Sequence, residues 1–296
     1  MKPPAFRYSR PGSVSEAVQL LAEHGSQAKV LAGGQSLIPL LSMRLAEPGR
    51  LVDINSLAEL DYRHADADGV RLGALARHAT VLADPAVTAR QPLLPAALAW
   101  VAHPTIRNRG TCLGSIVHAD PAAELPAVLS VLAGSVTAVS VTGRRTIPAS
   151  ELFAGPLESA LRPDELAVEA FFPALPDRSG TAFAEVSRRH GDYALCGVAV
   201  LVSLDADQRI RTARAGYLSM AATPRVIELT GAIAGQPFDG DLGTAAELAA
   251  DSLDPEPDIH ASAEYRRQLA RVLTGRTLAE AARRAAGVRV AGDAGE

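Results

Sequence analysis

Two adjacent glycines stand between an apolar run and the start of a predicted helix, and this arrangement constrains the fold more than any other feature. Residues 29–32 predict a short buried strand, and residues 37–41 predict a helix. The turn between them reads Gly33-Gly34-Gln35-Ser36. Glycine lets the backbone bend sharply and approach a ligand, because it has no Cβ atom. The segment is either a tight turn with nothing bound or a cradle whose free N–H groups favour an anion such as phosphate.

The same segment disfavours the two commonest nucleotide-binding motifs. It lacks the G-x-G-x-x-G spacing of a Rossmann dinucleotide site, and no lysine follows the glycines as it would in a P-loop. A Rossmann fold is therefore not expected.

A second glycine-containing segment, residues 105–116, also has the composition of an anion-binding loop. It carries two arginines, two glycines and several hydroxyl side chains, which suit a diphosphate or an anionic ring edge. His118, Asp120 and Glu124 follow it, but their spacing matches no closed zinc site, so we expect no metal. Polar contacts to a ribose or purine, or helix capping by Asp120, fit them better. We expect residues 103–126 to be mostly loop, because Gly, Pro, His and Asp are frequent there.

Composition narrows the class of protein. The 296 residues include 29 Lys and Arg against 33 Asp and Glu, a net charge of −4 that argues against nucleic-acid binding. Only 4% of the residues are aromatic, so stacking platforms for single strands are not expected. Two cysteines, Cys112 and Cys196, supply neither a disulfide framework nor a four-cysteine cluster, and they indicate a reducing compartment. Without a signal peptide or a membrane-length apolar run, the expected location is the cytoplasm.

Composition shifts divide the chain into three parts and a tail. Residues 1–57 predict a small strand–helix–strand unit, and residues 58–176 predict a second unit. A Pro- and Gly-rich stretch at residues 173–180 predicts the linker to a third part, residues 177–287. Residues 288–296 are small and polar and are expected to form a frayed tail.

The third part predicts a sheet with helices on one face. Three strand-like runs follow one another at residues 181–188, 197–204 and 210–218. A helix is expected to start at Thr223-Pro224, and a long helix is expected from residue 260 to about residue 286.

Seven segments of the chain, taken in order, resemble those of one family. They are FRYSRP (6–11), KVLAGGQSLIP (29–39), LVDIN (51–55), IRNRGT (106–111), HADPAAELP (118–126), RRHGDYA (188–194) and ASAEYRR (261–267). The family is the FAD-binding medium subunit of the molybdenum hydroxylases, which include xanthine dehydrogenase and carbon monoxide dehydrogenase. The resemblance covers nearly the whole chain, and several independent segments in the family order make it specific.

The resemblance implies an α+β fold. A two-lobed FAD-binding domain of the vanillyl-alcohol-oxidase (PCMH) type would precede a C-terminal domain with a three-stranded antiparallel sheet and helices. Residues 1–57 and 58–176 would be the two lobes, and residues 177–287 the C-terminal domain. The chain would be an oxidoreductase subunit with non-covalent FAD. A molybdopterin large subunit and an iron–sulfur small subunit would deliver electrons, and FAD would pass them to a quinone, NAD, oxygen or another small molecule.

The resemblance also implies where FAD binds. The diphosphate would lie between the two glycine-containing segments, and Asp120 and Glu124 would lie near the ribityl, ribose or adenine portion. Arg188 and Tyr193 would lie near the flavin ring as candidate catalytic residues. Tyr193 could instead be a core tyrosine with a bonded hydroxyl, and Arg188 a solvated strand residue. The implied cofactor-binding residues are Lys29, Leu31, Ala32, Gly33, Gly34, Gln35, Ser36, Leu37, Thr111, Gly114, Ser115, Asp120, Glu124, Leu161, Arg188 and Tyr193.

One residue departs from the family pattern. The family usually has two glycines where this chain has Leu113-Gly114. Leucine is disfavoured at positive φ, so Leu113 must adopt an ordinary backbone geometry or the loop must shift. Its side chain is expected to occupy space that the diphosphate would share, so that FAD binds in a changed pose, more weakly or not at all. Two alternatives to the electron-transfer subunit stay open: a stand-alone flavin-dependent oxidase or dehydrogenase acting on a small metabolite, which Leu113 slightly favours, and a non-enzymatic homologue that has lost FAD.

Overall fold

A parallel three-stranded sheet opens the computed structural model, which describes residues 2–288. Its elements are β1 (Arg7–Ser9), α1 (Val14–His24), β2 (Ala28–Leu31), α2 (Leu37–Met43) and β3 (Arg50–Asp53), with strand order β1-β3-β2. Helix α1 begins where the Ser13 hydroxyl accepts the Glu16 N–H, and its buried face carries Ala17, Val18 and Leu21. The strands and helices predicted for this part are confirmed.

An antiparallel five-stranded sheet follows. The elements are β4 (Arg63–Ala65), β5 (Gly69–Gly73), α3 (His78–Leu82), α4 (Pro85–Arg90), α5 (Leu93–Leu98), α6 (Pro104–Arg107), α7 (Cys112–His118), α8 (Glu124–Val131), β6 (Ser135–Ser140), β7 (Gly143–Pro148), α9 (Ala149–Leu152), β8 (Phe153–Gly155), β9 (Glu158–Ser159) and β10 (Leu166–Pro173). Strands β4 to β7 and β10 lie in the order β4-β5-β10-β6-β7 across the sheet. Strands β8 and β9 form a separate short hairpin.

The prediction of a mostly irregular loop at residues 103–126 is wrong, because the helices α6 and α7 lie within it. Pro104 occupies the first turn of α6, where a missing N–H costs nothing. The Thr111 hydroxyl accepts the Gly114 N–H at 3.1 Å and begins α7. Local capping therefore outweighs the loop-like composition.

An antiparallel four-stranded sheet with helices forms the last part. Its elements are β11 (Ser179–Ser187), β12 (Ala194–Leu204), β13 (Ile210–Leu218), β14 (Arg225–Glu228), α10 (Thr230–Ile233), α11 (Gly243–Asp251) and α12 (Ala263–Ala285). Helix α12 has 23 residues, but no helix within residues 2–288 is long and apolar enough to cross a membrane. The predicted tail, residues 288–296, lies almost wholly outside the described residues.

The predicted three-stranded sheet and the helix expected at Thr223-Pro224 are corrected by β14. Residues 225–228 pair with β13, with Val226 opposite Gly216 and Ile227 opposite Ala215. A proline near a helix start is only a local signal, and the free edge of β13 outweighs it here. The long helix is confirmed, although it begins at Ala263, after the cap residue Ser262.

Helix α8 joins the last sheet to the rest of the molecule. An ideal Cβ on Gly216 of β13 would lie 2.9 Å from the Ala127 carbonyl oxygen and from Val131 Cβ, so α8 packs on bare backbone there. Phe183 of β11 belongs to the same apolar core as α8, whereas its neighbour Ala182 faces the core under α12. One face of this sheet is thus buried against the preceding part of the chain.

Candidate functional site

The two glycine-containing segments touch each other. An ideal Cβ on Gly33 would lie 2.5 Å from the Arg109 carbonyl oxygen and 2.8 Å from Gly110 Cα. Both neighbours are backbone atoms, so neither could move aside cheaply. Residue 33 must therefore be glycine for the first loop to rest on the second.

The first loop leaves a row of hydrogen-bond donors unused. Gly34 has φ +74°, a conformation that side-chain-bearing residues rarely adopt. Within residues 2–288, no oxygen accepts a hydrogen bond from the N–H groups of residues 33–36. The Gln35 amide turns back and donates to the Gly33 carbonyl oxygen at 3.0 Å. Consecutive free N–H groups of this kind form a concave site for an anion.

A groove of about 470 Å³ opens beside this loop. Five of the predicted residues line it: Leu31, Ala32, Gly33, Gly34 and Gln35. Six others complete the lining, and sequence reasoning had not assigned them to the site: Ile38, Pro39, Asp53, Asn55, Ile106 and Arg109. All six lie within segments or predicted elements around the two loops, which is the signal that could have found them.

A polar network holds the floor of the groove. The Tyr8 hydroxyl donates to Asp53 at 2.5 Å, and the Asn55 amide nitrogen donates to Asp53 at 2.6 Å and to the Ala32 carbonyl at 2.9 Å. These hydrogen bonds keep the pKa of Asp53 below its ordinary value despite partial burial. The Arg77 guanidinium donates to the Asn55 side-chain oxygen at 2.6 Å. The network ties the first loop to the sheet beneath it.

The second loop is held differently, by capping and by the core. Thr111 is buried and its hydroxyl caps α7, and an ideal Cβ on Gly114 would lie 2.5 Å from that hydroxyl oxygen. Under the loop, the buried His78 ring lies 3.0 Å from the position of a Cβ on Gly110. Burial lowers the pKa of His78 to about 4, so this ring is neutral at physiological pH.

The expectation that Leu113 intrudes on the diphosphate is wrong. Leu113 is the second residue of α7, with an ordinary helical backbone, and its side chain is 2% exposed within the first apolar core. Leu113 is not among the residues that line the groove, and its side chain packs in the core. The departure from the family pattern is therefore a core residue, and it gives no reason to expect weakened FAD binding.

Acidic groups gather on the other side of α7. The Asp120 carboxylate accepts the Ala122 N–H at 2.9 Å and so stabilises a turn, while Ala123 holds the cap position of α8. Burial raises the pKa of Glu124 to about 7, with a further increase from the charge of Asp120. Glu185 of β11, which the sequence analysis missed, is 6% exposed, and its Oε2 atom has no hydrogen-bond partner among the described residues.

Burial, with the charge of Glu124, raises the pKa of Glu185 to about 8. Partial burial, Asp120 and Glu124 likewise raise the pKa of Tyr193, whose side chain is nevertheless 76% exposed. The alternative of a core tyrosine is therefore wrong. Tyr193, Asp120 and Glu124 are therefore close enough to interact electrostatically.

The remaining predicted residues lie around these two groups. Arg188 is exposed, and its guanidinium lies 3.1 Å from His260 Nδ1. Leu161 is half-buried and follows the β8–β9 hairpin, in which the Leu157 N–H donates to the Ala119 carbonyl oxygen at the end of α7. Lys29 is exposed on the edge strand β2. Burial is the main cause that lowers the pKa of His118, the charge of Asp120 opposes it, and the charge of Lys29 lowers the pKa further. Ser36 is exposed, and Leu37 and Ser115 are half-buried.

Two family models match consecutive parts of the chain. The model described as the FAD binding domain in molybdopterin dehydrogenase matches residues 4–175. The model of the CO dehydrogenase flavoprotein C-terminal domain matches residues 181–281.

Individual relatives match over nearly their full length. The alpha subunit of the 6-hydroxypseudooxynicotine dehydrogenase complex of Paenarthrobacter nicotinovorans is 45% identical over 96% of this chain and 97% of its own. Caffeine dehydrogenase subunit beta of Pseudomonas sp. strain CBB1 is 40% identical over 96% and 97%. Among solved structures, quinoline 2-oxidoreductase from Pseudomonas putida 86 superposes with a TM-score of 0.91 at 36% identity, covering 96% of this chain and 99% of that one.

Proposed function

Since the chain belongs to the family of FAD-binding medium subunits of the molybdenum hydroxylases, we propose that it passes electrons from an iron–sulfur partner through FAD to an acceptor. The family membership, the FAD cofactor and the role as one subunit of a larger oxidoreductase confirm what the sequence predicted. The observation that carries the proposal is the row of free N–H groups at residues 33–36, beside a groove floored by the polar network.

The residues present fit FAD. The free donors at Gly33, Gly34, Gln35 and Ser36 match the negative charge of a diphosphate, and residue 33 leaves no room for a side chain. We propose that this loop holds the diphosphate and that Thr111, Gly114 and Ser115 form the facing wall. The other proposed contacts are Lys29, Leu31, Ala32, Leu37, Asp120, Glu124, Leu161, Arg188 and Tyr193, with Arg109 added from the groove.

FAD, when bound, supplies the electron-transfer chemistry, and this chain supplies position and electrostatics. The first loop and the floor network bind and orient the diphosphate. The exposed Tyr193 ring stands beside Asp120 and Glu124 as the proposed neighbour of the flavin ring, where it would limit solvent access. Arg188, placed on His260, supports the segment that carries Tyr193.

The attachment of FAD is proposed to be non-covalent. Cys112, the one thiol in either loop, is fully buried at the start of α7, and burial raises its pKa far above neutrality. A buried neutral thiol is a poor nucleophile. Both cysteines are free and buried, as is usual in a reducing compartment, and we propose that the protein is located in the cytoplasm.

The partners follow from the family. Medium subunits of this kind assemble with a molybdopterin large subunit and an iron–sulfur small subunit, and we propose the same complex here. The proposed organisation is 1–57 and 58–176 for the two lobes around FAD, and 177–287 for the C-terminal domain. The substrate reacts on the large subunit. Relatives at 40% identity or more are named for nicotine, caffeine and a hydroxylated nicotine derivative, so we propose a nitrogen heterocycle as the substrate of the complex.

Because Leu113 lies in the core, it no longer favours the alternative of a stand-alone enzyme. A direct test is the visible spectrum of the purified chain with added FAD, followed by anaerobic mixing with its co-expressed partner subunits and a heteroaromatic substrate. We expect flavin bands that bleach only when the partners and substrate are both present. A colourless protein after FAD addition, or bleaching by substrate without the partners, would contradict the proposal.

A further inference from the structure

Arg77 has its backbone bound to the second loop. The Arg77 and Thr111 backbones form an isolated antiparallel bridge, and the neighbouring bonds run from the His78 N–H to the Gly110 carbonyl and from the Cys112 N–H to the Ala76 carbonyl, each at 3.0 Å. The main chain at residue 77 therefore cannot shift without moving the second loop.

The side chain of Arg77 is linked to the first loop through Asn55. One terminal nitrogen donates to the Arg109 carbonyl at 2.6 Å, and the other donates to the Asn55 side-chain oxygen at 2.6 Å. The Asn55 amide in turn donates to the Ala32 carbonyl, immediately before Gly33. The guanidinium thus lies between the carbonyl on which Gly33 rests and the residue that holds the entry to the first loop.

The geometry requires an arginine rather than any cation. Arg77 is half-buried, and burial together with the positive charge of Arg109 lowers its pKa, which the negative charges of Asp61 and Asp53 do not fully offset. A planar guanidinium presents two donors in a fixed direction, whereas a lysine ammonium cannot satisfy both acceptors in the same rigid geometry. A residue kept here despite its desolvation and like-charge repulsion indicates a positioning task.

We propose that Arg77, which donates a hydrogen bond to Asn55, is the positioning residue that sets the separation of the two loops before FAD binds. The proposal rests on the proposed FAD site and adds to it a residue outside both loops. A preformed cradle raises affinity, because less ordering is required when the ligand binds.

The experiment is a double-mutant cycle on FAD affinity in the full-length chain stripped of flavin, read by quenching of FAD fluorescence. The variants are Arg77→Met, Asn55→Ala, the double substitution and Arg77→Lys. Each single change is expected to weaken FAD binding about tenfold, the effect of losing a hydrogen bond to a charged group. The double variant is expected to be no weaker than about tenfold, since both changes remove the same link. Arg77→Lys is expected to recover part of the loss.

Arg63→Met is the matched control, because Arg63 pairs with Asp84 between β4 and α4 and contacts neither loop. Its FAD affinity should equal that of the wild type. Unfolding by urea, measured on each variant, separates loss of fold from loss of the link, and Asn55→Ala keeps the test open should Arg77→Met not fold.

A wild-type affinity in Arg77→Met and Asn55→Ala would overturn the proposal, as would losses that multiply to a hundredfold in the double variant. A wild-type chain that takes up no FAD would instead overturn the proposed function on which it rests.

Discussion

The two glycine-containing loops look alike in sequence and are built in opposite ways. The first is half-exposed, has a glycine at φ +74° and leaves the N–H groups of residues 33–36 free. The second is buried at Thr111, where the hydroxyl takes up the Gly114 N–H, and it continues into a core helix. Glycine serves ligand contact in one loop and close packing in the other. We infer that the free N–H groups of the first loop bind the diphosphate, and that the second loop forms the facing wall and supports the first loop.

The comparison is tested most strongly at Leu113. If the second loop is a support, Leu113→Ala should destabilise the fold by about 2–5 kcal/mol, the usual range for a fully buried leucine. FAD affinity of the folded fraction should not improve. The measurement is urea unfolding of the variant beside Leu248→Ala, whose leucine is 40% exposed on α11. A tighter FAD complex with unchanged stability would show that Leu113 is a wall of the pocket after all.

The first loop should respond to a single methyl group. In Gly33→Ala the new Cβ would meet the Arg109 carbonyl at 2.5 Å, so the loops must separate. We expect FAD affinity to fall about a hundredfold, equivalent to about 2.7 kcal/mol. Gly231→Ala, whose added Cβ would meet no atom within 4 Å, is the control for fluorescence titration. Equal affinities in the two variants would remove the contact between the loops from the account.

Beyond the second loop, the buried carboxyl of Glu185 makes stability depend on pH. Its pKa of about 8 lies above the ordinary glutamate value of 4.5, so between these pH values the folded chain binds a proton that the unfolded chain has released. Stability contributed by the neutral form is therefore lost as pH rises toward 8. As the pH rises from 5 to 9, the free energy of unfolding of Glu185→Gln should increase relative to that of the wild type by on the order of 1–2 kcal/mol.

Urea unfolding at several pH values measures this gain. Glu228→Gln, an exposed position on β14, should follow the wild type throughout. A constant difference between Glu185→Gln and the wild type from pH 5 to pH 9 would mean that Glu185 is already ionised in the folded chain.

The smallest effect is expected at the cap of α7. Thr111→Val keeps the shape of the side chain and removes the acceptor for the Gly114 N–H. The loss should be about 1 kcal/mol, the usual value of a helix cap. Thermal unfolding in the absence of FAD measures it, with Thr142→Val in the β6–β7 turn for comparison. If the apo-protein is unaffected while FAD binding collapses, Thr111 is a ligand contact first and a cap second.

Local patterns predicted much of the fold. The strand at residues 29–32, the helix that follows Ser36 and the three strand-like runs of the last sheet were all predicted, because each depends on neighbouring residues. Strand β14 was not, since four residues after Pro224 become a strand only when β13 offers an edge. The spacing of Thr111 and Gly114 fits a helix start, but the frequent Gly, Pro, His and Asp residues of 103–126 predicted a loop there.

The site was predicted in part for the same reason. The pair Gly33-Gly34 between a strand and a helix predicts a tight turn or a close approach of the backbone to a ligand. Asn55 and Arg77 are 22 residues apart and form no pattern, so only the folded chain brings them together. Glu185 sits in a strand where a carboxylate was unexpected, and its neighbour Glu124 comes from a different part of the chain. Contacts between distant single residues are what the sequence could not provide.

The central claim, that the free N–H groups of the first loop hold the diphosphate of FAD, is tested most directly by a crystal structure of the chain with FAD. The account predicts diphosphate oxygens within about 2.7–3.2 Å of the N–H groups of residues 33–36, with Leu113 unmoved in the core. Diphosphate density lying away from this loop, with those N–H groups still unpaired, would contradict it.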